Sequence, residues 1–88
     1  MSQNLNVAEL YTLTSGTLTI LYARSVSILA VGGSTNITNS ATQSMSIPDG
    51  VTMDINADTG NTLSTITISP NSGTAYVTVL SGLCSVAP

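Results

Sequence analysis

Few side chains in this sequence could do acid–base or nucleophilic chemistry. The chain of 88 residues contains no lysine and no histidine. Its ionisable groups, tyrosines apart, are one basic side chain, one thiol and four carboxylates: Arg24, Cys84, Glu9, Asp49, Asp54 and Asp58. A serine or cysteine nucleophile needs a neighbouring base, and the usual ones are missing. Asp49 and Asp58 lie in predicted turns, where water solvates a carboxylate. The sequence therefore predicts a protein that is not an enzyme and that needs no cofactor.

One local pattern is typical of a metal site. Asp54, Asn56 and Asp58 place three oxygen-bearing side chains at alternate positions before Gly60, which resembles the first half of a calcium-binding loop. The glycine falls one place late, and the twelfth position is Thr65 rather than a glutamate that could close the coordination shell. The same alternation arises on any strand with a solvated outer face. We keep both alternatives and favour the solvated face, with calcium as the weaker candidate.

The charge inventory also bears on nucleic acid. Binding to a phosphate backbone requires several cationic side chains, and Arg24 is the only one in a chain of net charge −3. The glycine-rich segment 32–34 lacks both the spacing and the lysine of a phosphate-binding loop. We therefore expect no nucleic-acid partner.

Composition predicts that the chain associates with other proteins. Only 6% of the residues are charged, and the aromatic residues are three tyrosines. A single domain of this size has only a small hydrophobic core of its own, and a single cysteine allows no internal disulfide. We interpret Cys84 as a small buried apolar side chain. A homo-oligomer or a larger assembly is the expected source of additional stability.

Apolar residues alternate with Ser, Thr and Asn through most of the chain, which is typical of strands with one buried face. Turn residues separate the alternating runs at the glycines and prolines. We predict a single all-β domain over residues 10–88, an antiparallel β-sandwich or barrel of about six to eight short strands. The expected strands are 10–14, 17–23, 25–31, 35–38, 43–47, 51–57, 62–68 and 74–80, one of which is expected to fail. A helix is conceivable only over residues 7–13.

The first nine residues have no clean period and are predicted to form an extended N-terminal arm. Leu5, Val7 and Leu10 are the apolar positions of this region and are our candidate partner-binding residues. They either dock on a neighbouring protein or belong to an edge strand of the same sheet. The first residues lack the basic and apolar stretches of a secretory signal, and the apolar runs are too short for a membrane span. We expect synthesis in a cytoplasm and no membrane partner.

Three segments carry a resemblance to a known group of proteins: Gly-Thr-Leu-Thr-Ile-Leu-Tyr-Ala at 16–23, Ile-Pro-Asp-Gly-Val-Thr at 47–52 and Asn-Thr-Leu-Ser-Thr-Ile-Thr-Ile at 61–68. In size, composition and sequence pattern the chain resembles the small all-β virion proteins of tailed bacteriophages. Within this group it most resembles the capsid decoration, or cement, proteins.

This resemblance implies a small β domain, commonly trimeric, that sits on the outer capsid surface of a virion made in a host cytoplasm. There it would bridge major capsid protein subunits and stabilise the shell. The alternative function is a phage tail, baseplate or surface recognition module that binds a glycan or a receptor. Such a module would favour exposed aromatic side chains in a groove.

Overall fold

The structure is a computed structural model that describes residues 8–87, and all of its regular secondary structure is β-strand. The nine strands are β1 Ala8–Leu13, β2 Thr17–Leu21, β3 Ser25–Val31, β4 Thr35–Asn39, β5 Ser44–Ile47, β6 Thr52–Asn56, β7 Ile66–Pro70, β8 Thr74–Leu80 and β9 Leu83–Ala87. Within residues 8–87 there is no helix long and apolar enough to cross a membrane.

The strands form two antiparallel sheets. One sheet has four strands in the order β1-β8-β3-β6, and the other has five in the order β5-β4-β7-β2-β9. The predicted all-β fold of antiparallel strands is confirmed. Each sheet combines strands that are far apart in sequence, so the chain crosses repeatedly from one sheet to the other. Consequently, the two ends of the sandwich are built from turns, and its two sides are built from edge strands.

The core lies between the sheets and follows directly from the alternating pattern. The four-stranded sheet contributes Val26, Ile28, Ala30, Ala75, Val77 and Val79, which are at most 1% exposed. The five-stranded sheet contributes Leu18, Ile20, Ile37, Ile47, Ile66 and Ile68. Because these residues come from every second position of their strands, the hydroxyl and amide residues between them face outward. Burial of these aliphatic side chains is the main favourable contribution to folding.

Two crossovers between the sheets meet at one end of the sandwich. Residues 32–34 join β3 to β4, and residues 71–73 join β7 to β8 in the opposite direction. The Asn71 amide N–H donates to the Ser34 carbonyl at 2.9 Å. The side-chain amides of Asn71 and Asn36 also pair, with donor–acceptor distances of 2.8 and 3.1 Å. Since the two turns are this close, their glycines have little room for a side chain.

Several sequence expectations differ from the structure. The first strand begins at Ala8, so Ala8 and Glu9 belong to the edge strand β1 and not to the predicted arm. The described part of the conceivable helix at 7–13 is this same strand. The predicted strand 62–68 is displaced to Ile66–Pro70, because the Leu63 amide bonds to the Ala23 carbonyl at 2.7 Å and holds that segment in a loop. Strand β9 was not predicted, and none of the eight expected strands fails.

Candidate binding surfaces

The outer face of the four-stranded sheet carries exposed apolar side chains. We name as the apolar face the outward-pointing residues Leu10, Leu29, Val31, Tyr76 and Leu80. Leu10 is 78% exposed on β1, and Tyr76 is 47% exposed on β8. The inward positions of the same strands already fill the core, so these outward residues are surplus to it. Apolar area of this kind on a sheet face indicates a contact surface.

Strand pairing makes the apolar face continuous. Tyr76 on β8 lies directly opposite Leu29 on β3, with Thr12 of β1 on its other side. Leu10 lies opposite Thr78, one diagonal step from Tyr76. Residues in such positions have their Cβ atoms within about 5–8 Å of one another. The apolar side chains therefore occupy neighbouring positions across three strands, with Thr and Ser between some of them.

The apolar face is nearly free of charge. Its neighbours on β1, β8 and β3 are Ala, Thr and Ser, and the one carboxylate at its margin is Asp54 on β6. The Ser27 hydroxyl donates to Asp54 Oδ1 at 2.6 Å, so this carboxylate is bound to the sheet itself. Three strand spacings of about 4.8 Å and strand lengths of about 20 Å give the face roughly 300 Å². A partner could cover it without burying an unpaired charge.

The outer face of the five-stranded sheet is chemically different. One row of hydroxyls crosses all five strands through paired residues: Ser85, Thr19, Thr67, Thr38 and Ser44. The hydroxyls of Thr38 and Ser44 lie 2.9 Å apart and share a hydrogen bond. We name the outward Ser and Thr residues of this sheet the hydroxyl face; the outward pair Leu21 and Leu83 lies beside them. Its polar groups bind water readily, so this side of the sandwich is suited to face solvent.

The predicted partner-binding residues divide into two groups. Leu5 and Val7 lie outside the described residues. Leu10 lies on β1, where it points away from the core and is the most exposed large apolar side chain among residues 8–87. Leu10 therefore belongs to an edge strand and also lies on an exposed surface. The two alternatives for it, an edge strand of the same sheet and docking on a neighbouring protein, are compatible.

The predicted metal ligands lie along one strand and the turn that follows it. Asp54 and Asn56 are exposed on the outer side of β6, and Asp58 is exposed beyond its end. Asp54 and Asn56 are about 6.6 Å apart along the extended strand, and Asp58 lies beyond the end of that strand. Ser27 binds Asp54, and the Asp58 carbonyl accepts from the Asn61 amide at 2.9 Å. Over residues 8–87, no three Asp, Glu, Cys or His side chains are grouped in a way that could hold a metal ion.

A carboxylate, a phenol and a thiol meet at the side of the sandwich where β1 lies over β9. Glu9 and Tyr11 point inward from β1, and the Tyr11 hydroxyl donates to Glu9 Oε2 at 2.9 Å. The Tyr11 hydroxyl also interacts with the Cys84 side chain on β9. Cys84 is half-buried against the core and its side chain contacts a polar group. This differs from the small buried apolar side chain expected from the sequence.

Both protons of this cluster are held tightly. Burial raises the pKa of the Tyr11 phenol far above its ordinary value of 10.0, and its hydrogen bonds to Cys84 and Glu9 add to the effect. Burial also raises the pKa of the Cys84 thiol above its ordinary value of 9.0; the hydrogen bond with Tyr11 opposes this and the Glu9 charge supports it. A thiol with a raised pKa is a poor nucleophile at neutral pH.

The stability of the protein is expected to fall as pH rises above about 9. Below this pH, Tyr11 and Cys84 are protonated in both the folded and the unfolded chain, so the full stability is present. Above it, the unfolded chain releases protons that the folded chain retains, which favours unfolding. Urea unfolding between pH 7 and 11 measures this slope. The variant Tyr11→Phe/Cys84→Ser should show a shallower slope, and equal slopes in parent and variant would contradict the assignment.

An apolar groove of 370 Å³ opens on the other side of the sandwich, between the edge strands β5 and β6. Its apolar lining residues are Ile37, Met45, Met53, Ile55, Leu63 and Ile66, and Asn39, Gln43, Ser44 and Ser64 supply the polar ones. None of these side chains is charged. β5 and β6 are edge strands of different sheets, and Met45, on the inner side of β5, is 51% exposed because it lines this opening.

Sequence reasoning did not select most of these residues. The signal for the apolar face is that β8 has apolar residues at consecutive positions, with Tyr76 and Leu80 outward and Val77 and Val79 inward. Recognising the face still requires strand order, since Leu10 and Leu29 come from the two neighbours of β8. The signal for the groove is weaker, because Met45 and Met53 fit the pattern of ordinary core positions.

Comparison with protein-family models, with characterised proteins and with solved structures found no match to the chain. The features that bear on function are therefore the two sheet faces, the groove and the scarcity of reactive groups.

Proposed function

We propose that this protein is a structural, non-catalytic component of a bacteriophage virion that binds the outer surface of the capsid through its apolar face. In this role it bridges adjacent major capsid protein subunits. The observation that carries the proposal is the apolar face itself, which is continuous, almost uncharged and not needed for the protein's own core. The hydroxyl face on the opposite sheet then points to solvent.

The size of the apolar face indicates that one copy does not act alone. Burying roughly 300 Å² at about 25 cal/mol per Å² yields at most about 7 kcal/mol. Association costs about 4–15 kcal/mol in lost translational and rotational freedom. Specific interfaces bury about 800 Å² per partner, more than twice what this face offers. Several linked copies would provide the missing area and bind with avidity, which supports a homo-oligomer and is consistent with the trimer that the resemblance implies.

The chemistry of the chain supports a binding role over a catalytic one. The Asp54 carboxylate accepts a hydrogen bond from Ser27, the exposed Asp58 lies beyond the end of β6, and the thiol of Cys84 is held in its protonated form. Tyr11 directs its hydroxyl proton to Glu9 at 2.9 Å, which leaves that phenol without a role as a proton donor to a ligand. A structural protein needs area and shape, and these are what the fold provides.

The choice of a capsid as partner depends on the resemblance to decoration proteins. A protein that binds only the assembled shell stabilises it by mass action, because disassembly must release the bound copies. The near absence of cationic side chains agrees with a position on the outside, away from the packaged genome. Attachment through a sheet face also accounts for the exposure of Leu10 and Tyr76 in the separate protein.

The proposal is tested by placing a charge in the apolar face. Leu10→Glu and Tyr76→Glu change exposed side chains, so both variants should fold with the circular dichroism of the parent. Each should reduce co-sedimentation with capsids purified without the protein by at least tenfold, because a buried unpaired carboxylate opposes binding. Capsids with the parent bound should retain DNA to a higher temperature than bare capsids.

Ser46→Glu is the matched control, since it places the same charge on an exposed strand position of the hydroxyl face. It should co-sediment like the parent. If Ser46→Glu weakens attachment as much as Leu10→Glu, the apolar face is not the contact surface. If the parent binds tails or host cells and not capsids, the recognition function replaces the structural one.

A further inference from the structure

The groove between β5 and β6 has the chemistry of a site for an extended peptide. Its floor is apolar and uncharged, and its volume of 370 Å³ lies within the range of sites that hold small ligands. It is bordered by β6, which pairs with β3 along one edge only among the described residues. An extended segment added beside β6 would gain backbone hydrogen bonds, and its alternate side chains would enter the groove.

The chain contains a segment that fits this description. Residues 2–7 read Ser-Gln-Asn-Leu-Asn-Val and carry no charged side chain. Leu5 and Val7 are separated by one position, so in an extended conformation they share one face while Asn4 and Asn6 share the other. An uncharged segment with two alternate aliphatic residues complements an uncharged groove lined by Met53 and Ile55.

The arm of the same molecule cannot place both anchors in the groove. Ala8, where the described chain begins, lies in one row with Leu80, Ser25 and Asn56, so three strand spacings separate it from β6. That distance is about 14 Å. Val7 is the immediate neighbour of Ala8, about 3.8 Å away, and Leu5 is at most about 11 Å away. The donor of the arm must therefore be another copy.

We propose that Leu5 and Val7 of one copy occupy the apolar groove of a second copy, with the arm added as a strand beside β6. Each copy then gives one arm and receives one, so every arm and every groove is used when two copies exchange arms about a two-fold axis or when more copies close into a ring. This link between copies goes beyond the proposed function and does not depend on attachment to a capsid. It assigns the arm to a second copy and not to the capsid.

Site-directed cross-linking of the full-length chain tests the link. One variant carries Leu5→Cys and the other carries Met45→Cys at the mouth of the groove, both with Cys84→Ser so that each has a single thiol. After mixing, a short bis-maleimide should join the two variants into a species of twice the 8.9 kDa chain mass, identified by mass spectrometry. Val86→Cys replaces Met45→Cys in the control, because Val86 is similarly exposed, at 55%, on the opposite edge of the same sheet. The groove pair should yield at least tenfold more heterodimer than the control pair.

A free peptide of residues 1–8 provides the second measurement. In excess, it should suppress the heterodimer at least fivefold, while the same peptide with Leu5→Asn and Val7→Asn should have no effect. Equal yields from Met45→Cys and Val86→Cys, or no competition by the parent peptide, would overturn the proposal. A chain carrying Leu5→Cys and Met45→Cys together that closes on itself as an 8.9 kDa species would also overturn it, since the arm would then reach its own groove.

Discussion

Replacing Leu18 by alanine is expected to lower the melting temperature by about 15–25 °C, whereas the same replacement at Leu10 should leave it within about 4 °C of the parent. Leu18 is fully buried on β2, and Leu10 is 78% exposed on β1. Removing a buried leucine side chain costs about 3–4 kcal/mol, because the lost transfer free energy is joined by the cost of a cavity. In a domain of this size each kcal/mol lowers the melting temperature by about 4–8 °C.

Thermal unfolding followed by circular dichroism measures both variants, and each serves as the control of the other. Attachment to capsids provides the complementary measurement on the exposed residue: Leu10→Ala should weaken it while the fold stays intact. Similar losses of stability from both variants would show that the outer face of the four-stranded sheet is as important to the fold as the core, which would contradict its interpretation as a free contact surface.

The alternation of apolar and hydroxyl residues was sufficient to predict the strands that supply the core. Strands β3 and β8 have the predicted bounds, 25–31 and 74–80, because each places an aliphatic residue at every second position between clear turn residues. A buried strand must alternate in this way if one face is to be apolar, so the local pattern carries the information. Where the pattern was clear, the strand was found.

The errors occurred where distant contacts decide the structure. Strand β9 was missed because its apolar residues do not alternate cleanly; it forms by pairing with β2, whose position in space the local sequence does not specify. Ile66 and Ile68 alternate with Thr65 and Thr67, but Leu63 is out of register with them, and the hydrogen bond from its amide to the Ala23 carbonyl holds that segment as a loop. In both cases tertiary contacts override local propensity.

The candidate sites were only partly predictable for the same reason. Leu10 was selected from the sequence because an apolar residue near a predicted arm needs a partner. The remainder of the apolar face needed the order β1-β8-β3, which brings Leu29 and Tyr76 together from positions 47 residues apart in numbering. The groove required knowledge of which strands lie at the edges, and edge positions have no signature in a sequence whose surface strands are uniformly rich in Ser and Thr.

Gly73→Ala is expected to be the most damaging of the glycine substitutions, because Gly73 lies where the two crossovers between the sheets pass each other. Its φ of +71° is unfavourable for a residue with a side chain, and an added Cβ would clash with the Val31 carbonyl oxygen and lie 2.5 Å from the Gly32 carbonyl carbon. Both are backbone atoms of β3 and its turn, so relief requires the two crossovers to separate and weakens the hydrogen bond from the Asn71 amide to Ser34.

Gly60→Ala is the matched control, since Gly60 has a φ of +83° and nothing within 4 Å of the added Cβ. The control should cost about 1 kcal/mol from backbone strain alone, and Gly73→Ala should cost at least about 3 kcal/mol more, in the range of backbone-disrupting mutations. Urea unfolding of the two variants gives the difference directly, and equal losses would mean that the crossovers can move apart at little cost and are not what fixes the two sheets against each other.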